Sequence, residues 1–224
     1  MKKMQYVLAA LLVIIAGLAM VSSVSAALPK DHADFMKDED YKNAFEQFTL
    51  GMQEAKERLT PDEYKALEKS NDEEMATSVK EDMEYGSSEK EAYETAYSLG
   101  YEQTSRELKW DWLRKNAEDA QGFYKMQSDA FGGYMALSKG EEDGIYEVEI
   151  SLQMNYEPYN SGYFYGFGNH SGSKMLVYDS DDENVITITF DSDIAKVTST
   201  QAFKESGYLG HNVVLDADYL REKK

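Results

Sequence analysis

The chain contains no cysteine. That excludes disulfides, cysteine-based zinc sites, thiol nucleophiles and lipid attachment through an N-terminal cysteine. Apolar cores alone must hold it together. Histidine is almost as scarce: His32, His170 and His211 show no spacing that suggests a shared metal site, and His170 and His211 read as exposed loop residues. No His-Glu-x-x-His, Gly-x-Ser-x-Gly or phosphate-loop pattern occurs, so no catalytic residue, metal or cofactor is expected. Positive charge is also in short supply. Against 42 Asp and Glu stand 23 Lys and Arg, a formal charge of −19. This excess repels nucleic-acid phosphates and anionic membrane surfaces and attracts cationic partners. It also serves plain solubility.

Long apolar runs are absent except at the N-terminus, where Lys2 and Lys3 precede an apolar stretch from Val7 to Val21. Ser22, Ser23 and Val24-Ser25-Ala26 follow, with small residues suited to a cut after Ala26. A basic start, a short apolar centre and a small-residue exit predict a cleavable signal peptide over 1–26. A membrane anchor would need about 18–20 apolar residues, which the run does not reach. The mature chain is therefore expected to be exported, periplasmic or extracellular, without a membrane span. Loss of Lys2 and Lys3 takes its formal charge from −19 to −21.

The remainder divides by apolar period into a helical domain over 27–125 and a β domain over 126–224. Tyr41, Phe45, Phe48, Met52 and Ala55 recur at helical steps. Thr60-Pro61-Asp62-Glu63 and Ser88 with Glu91 are capping boxes. Asn71 reads as a further helix start, with Met75, Val79 and Met83 on one stripe and Gly86 as the stop. Tyr93, Tyr97, Tyr101, Leu108 and Trp112 are expected to face inward. About three or four antiparallel helices result.

Beyond Lys125 the period becomes two. Tyr146, Val148, Ile150 and Leu152 alternate with Glu147, Glu149 and Ser151, as in a half-buried strand. Ile186, Ile188 and Phe190 alternate likewise, as do Val213, Leu215, Ala217 and Tyr219. Lys174–Tyr178 and Ile194–Thr198 are shorter strands, and Phe131–Leu137 is expected to supply the first. Tight polar turns between them predict an antiparallel meander, either a small barrel or a curved sheet. The fold class is α+β: an antiparallel helical segment followed by this meander.

Two segments invite functional readings. Asp179–Asn184 is the densest carboxylate cluster, but it lacks the ligand spacing of a calcium loop and reads as a solvated hairpin turn. Tyr156–Phe167 is rich in aromatics and is read as a loop leading into a strand. Tyr156, Tyr159, Tyr163 and Tyr165 could contact a partner, since tyrosine offers rigid amphipathic area. Alternatively, Phe164 and Phe167 pack inward while the others cover the sheet edge.

Several short patterns in the β half carry a resemblance. They are Phe164-Tyr165-Gly166, Gly172 with Met175-Leu176-Val177, Ile186-Thr187-Ile188-Thr189-Phe190, Ala195-Lys196-Val197, and a close of Leu209-Gly210…Leu215-Asp216-Ala217-Asp218-Tyr219-Leu220-Arg221. In order and spacing these resemble a β domain of exported bacterial proteins, often found downstream of a helical segment of the LprI-type lysozyme-inhibitor family. Leu108…Trp112-Leu113-Arg114 is similar to a stretch of that helical segment. Asn184 and Leu209 stand where the family pattern has cysteines. The resemblance implies a disulfide-free β domain, export and a basic partner such as a lysozyme; it assigns no site residues. The leading expectation is an exported, non-enzymatic binding module. A structural or envelope-maintenance protein and a carboxylate-dependent hydrolase are the alternatives.

Overall fold

A computed structural model describes residues 28–155, 160–179, 184–205, 209 and 213–224. The expected signal peptide, Tyr156, Tyr159, His211 and most of the Asp179–Asn184 cluster lie outside them. Helices come first: α1 (His32–Phe35), α2 (Glu39–Arg58), α3 (Pro61–Glu84) and α4 (Glu89–Lys115). Strands follow: β1 (Gly122–Met126), β2 (Phe131–Lys139), β3 (Ile145–Met154), β4 (Ser161–Ser171), β5 (Lys174–Tyr178), β6 (Asn184–Asp191) and β7 (Ile194–Ser199). A short α5 (Gln201–Glu205) leads to β8 (Ala217–Glu222). Among the described residues no helix is long and apolar enough to cross a membrane. Two compact units divide between Lys109 and Trp110, inside α4.

Side-chain caps start the long helices. Asp38 accepts from the amides of Asp40 and Tyr41 before α2. Thr60 and Glu63 exchange both bonds of a capping box before α3. Ser88 and Glu91 do the same before α4. Each cap satisfies amides that would otherwise lack partners, for about 1 kcal/mol. Gly86, at φ 98°, follows the end of α3 in a conformation that side chains disfavour. The helical core gathers Tyr41, Phe48, Met52, Met75 and Tyr97, with Tyr97 edge-on to Tyr41 and stacked on Phe48.

Two expectations for the helices need correction. Asn71 starts no helix; α3 runs through it, and its buried side chain donates to Thr104 Oγ1 at 3.0 Å. A polar residue amid apolar ones marks a buried hydrogen bond here. On α4, Tyr97 and Leu108 face inward, but Tyr101 and Trp112 are exposed. Four-residue steps overshoot the 3.6-residue turn, so a stripe built on them rotates off the buried face.

The β unit is a closed antiparallel barrel with its eight strands in chain order, β8 pairing back with β1. Closure leaves no open sheet edge. Inward side chains fill the interior, among them Tyr124, Met135, Val148, Ile150, Phe164, Ile186 and Tyr219. The interior phenols have partners: Tyr124 donates to Ala120 O at 2.8 Å and Tyr219 to Leu215 O at 3.2 Å. Phe203 of α5 meets Phe164 edge-on.

Phe131–Leu137 belongs to the second strand, not the first. β1 is covered on both faces and therefore shows little alternation: Tyr124 points inside, while Phe123 packs outside with Trp110, Leu113 and Ala136. Asp111, almost fully buried, holds this last turn of α4 to the C-terminus through Lys224 at 2.7 Å, and also bonds Lys115 at 2.7 Å. Val213 and Leu215 precede β8 rather than belonging to it.

Candidate functional site

β4 is a strand with most of its large rings on the outside. Along Ser161–Ser171 burial alternates without a break as far as Asn169. Gly162, Phe164, Gly166 and Gly168 face the interior, whereas Tyr163, Tyr165 and Phe167 face out. The outward three are 53%, 46% and 50% exposed. Inward glycines are required where the core crowds the backbone. A Cβ on Gly166 would collide with the Tyr178 carbonyl and come within 2.7 Å of the Phe164 ring. Large side chains on β4 can therefore project in numbers only outward.

The neighbouring strands set the chemistry around the rings. On β3, Ser151 lies opposite Tyr163, Glu149 opposite Tyr165 and Glu147 opposite Phe167. On β5, Tyr178 lies opposite Phe167. Tyr165 and Phe167 meet edge-on, with centroids 5.6 Å apart. Partial burial, then the charges of Glu147 and Glu149, push the Tyr165 phenol above its ordinary pKa. The result is an aromatic ridge beside a half-buried Glu147 and an almost fully buried Glu149.

No family model, curated protein or solved structure matches this chain.

Of the tyrosines singled out from sequence, the structure brings Tyr163 and Tyr165 together on one face. Tyr156 and Tyr159 lie outside the described residues. The expected loop at 161–167 is strand, and Phe167 points outward rather than in. Sequence reasoning missed Phe167, Glu147 and Glu149 as members of one surface. The available signal was the recurrence of glycine at 162, 166 and 168 between aromatics, with Phe164 the one ring in the glycine phase.

The other sequence candidates are placed differently. His32 shares a hydrogen bond of 2.8 Å with the Tyr41 hydroxyl, and burial lowers its pKa. His170 is on β4, not in a loop, partly buried between the edges of Tyr146 and Phe190. Among the described residues no group of three or more metal-ligating side chains comes together. The helical unit carries a shallow groove of about 510 Å³ along α3 and α4, bordered by Glu73, Glu74, Glu81, Asp82 and Leu99. Its carboxylates add to the acidic surface.

Proposed function

We propose that the chain is an exported, non-enzymatic binding module that seats a basic protein, such as a lysozyme, on the outward face of β4. The observation carrying this reading is the row Tyr163, Tyr165 and Phe167, about half exposed on a barrel that has no sheet edge for them to cover. Exposed aromatics beyond scattered single residues are characteristic of interaction sites. The overall charge of −19, to which Glu147 on the adjacent strand adds, favours a cationic partner and would steer its approach. The signal-like N-terminus and the lysozyme-inhibitor resemblance support export and suggest the partner class.

The testing experiment is a titration of the chain beginning at Ala27 against a basic lysozyme, with lytic activity followed in parallel. The proposal expects saturable binding, weakened by salt, with loss of lysis. Absence of binding at low salt would remove the lysozyme from the proposal.

A further inference from the structure

We propose a second binding site on the barrel unit, a cleft beside Trp112 that takes a neutral oligosaccharide by stacking a pyranose ring on the indole. This site is separate from the β4 ridge and does not depend on that reading.

Trp110 and Trp112 are the only tryptophans of the chain, and the C-terminal part of α4 uses them differently. Trp110 is 8% exposed and packs against Phe123 and Tyr134 on the barrel wall. Trp112 is 44% exposed and lines a cleft of about 480 Å³. Asn116, Glu118, Gln121 and Lys139 share that lining.

The cleft is built rather than incidental. Gln121, 8% exposed, joins its two walls: Nε2 donates to Asn116 O at 2.9 Å, and Oε1 accepts from the Lys139 amide at 3.2 Å. Asn116 donates through Nδ2 to Trp112 O at 2.8 Å, fixing the chain as it leaves the helix. Glu118 and Gln121 exchange two backbone hydrogen bonds across a tight turn. Asp119 within that turn takes φ 48°, an uncommon conformation for a non-glycine residue, and its carbonyl accepts from Arg221. These bonds hold the turn that borders the cleft.

Its chemistry selects the ligand class. An indole face offers an apolar platform for the C–H face of a sugar, and the Glu118 carboxylate and Lys139 ammonium around it suit hydroxyls. Glu118 and Lys139 bring opposite charges to the lining, so no net charge is demanded of the ligand. The following turn carries Glu141, Glu142 and Asp143, which disfavours phosphates and nucleotides. One ring among polar groups is also a poor match for proline-rich peptides, which dock in grooves lined by several aromatics.

The test uses the two indole N–H signals in a nitrogen–proton correlation spectrum of the chain from Ala27, assigned with Trp112→Phe. Triacetylchitotriose, cellotriose and maltotriose are the saccharide probes; ATP and a proline-rich decapeptide are the rivals. At least one saccharide should move the Trp112 signal saturably and leave Trp110 in place. The apparent affinity should be unchanged between about 50 and about 500 mM salt, because a neutral ligand is not screened. Lys139→Met, which keeps the apolar stem, should weaken the response at least about threefold, an effect of the order of one hydrogen bond. No shift with any of the three saccharides, or a shift confined to ATP or the peptide, would overturn the proposal. So would a saccharide response centred on Trp110.

Discussion

Tyr165 and Glu149 are direct cross-strand partners, one half exposed and the other almost fully buried on the same outer wall of the barrel. The ring thus has a carboxylate opposite it on the next strand and remains open to a partner. This pairing ties the acidic character of the chain to a specific surface. Charge spread evenly over the molecule would give solubility alone.

The inward glycines of β4 are what commit its rings to the outside. Gly166→Ala should destabilise the barrel by about 1–3 kcal/mol, since the Tyr178 backbone and the Phe164 ring cannot both retreat. The expected loss in melting temperature is on the order of 5–10 °C. Thermal unfolding followed by near-ultraviolet circular dichroism measures it. An unchanged melting curve would show that the strand has room it is not expected to have.

Asn71 and Thr104 form a polar contact inside the helical core. Asn71→Ala should cost about 1–3 kcal/mol by leaving a cavity and a hydroxyl with one partner fewer. Replacing both residues, as Asn71→Leu with Thr104→Val, should recover much of that loss, because no unpaired polar group is left behind. Urea unfolding of the single and double variants separates these outcomes. A double variant weaker than the single one would mean that overpacking outweighs the gain.

Asp111 supplies a pH dependence whose sign is fixed. Burial acts to raise its pKa, but the bonds from Lys115 and Lys224 outweigh it and hold the carboxyl below the ordinary value. Asp216 behaves alike: burial is overcome by Lys204 and Ser199. A depressed folded pKa gives stability that is fully present above the unfolded value near about 3.9 and is lost as pH falls through the folded value. The barrel should therefore weaken progressively below about pH 4. Asp111→Asn with Asp216→Asn should flatten that dependence in melting curves collected between about pH 2.5 and about pH 6. An equally steep dependence in the double variant would assign it to other carboxylates.

The order of helices and strands was legible because most elements expose one face and bury the other. Tyr146 to Leu152 and Tyr41 to Ala55 show the two periods plainly. Elements covered on both sides were not legible. β1 hides Tyr124 inside the barrel and Phe123 beneath Trp110 and Leu113, so its period vanishes. Asn71 misled because a buried hydrogen bond looks, in sequence, like a polar break. The candidate surface was half legible: Tyr163 and Tyr165 stood out by type. Phe167 was expected inside because apolar rings usually are. Its outward position follows from the glycines around it, whose crowding only the closed barrel reveals. The carboxylates beside the ridge come from pairing across β3, which depends on strand register.

The central claim is that the β4 ridge is the surface on which a basic partner is held. The most direct measurement compares association and dissociation rates of a basic lysozyme with the wild-type chain and with Tyr163→Ala/Tyr165→Ala/Phe167→Ala, each at low and high salt, beside melting curves of both proteins. The account predicts dissociation at least about thirtyfold faster in the triple variant, the loss of a contact worth about 2 kcal/mol. Association should stay nearly unchanged at low salt but slow in both proteins as salt rises. Melting temperature should fall only slightly, because the three rings are already half in solvent. Wild-type dissociation rates in a folded triple variant would contradict the account.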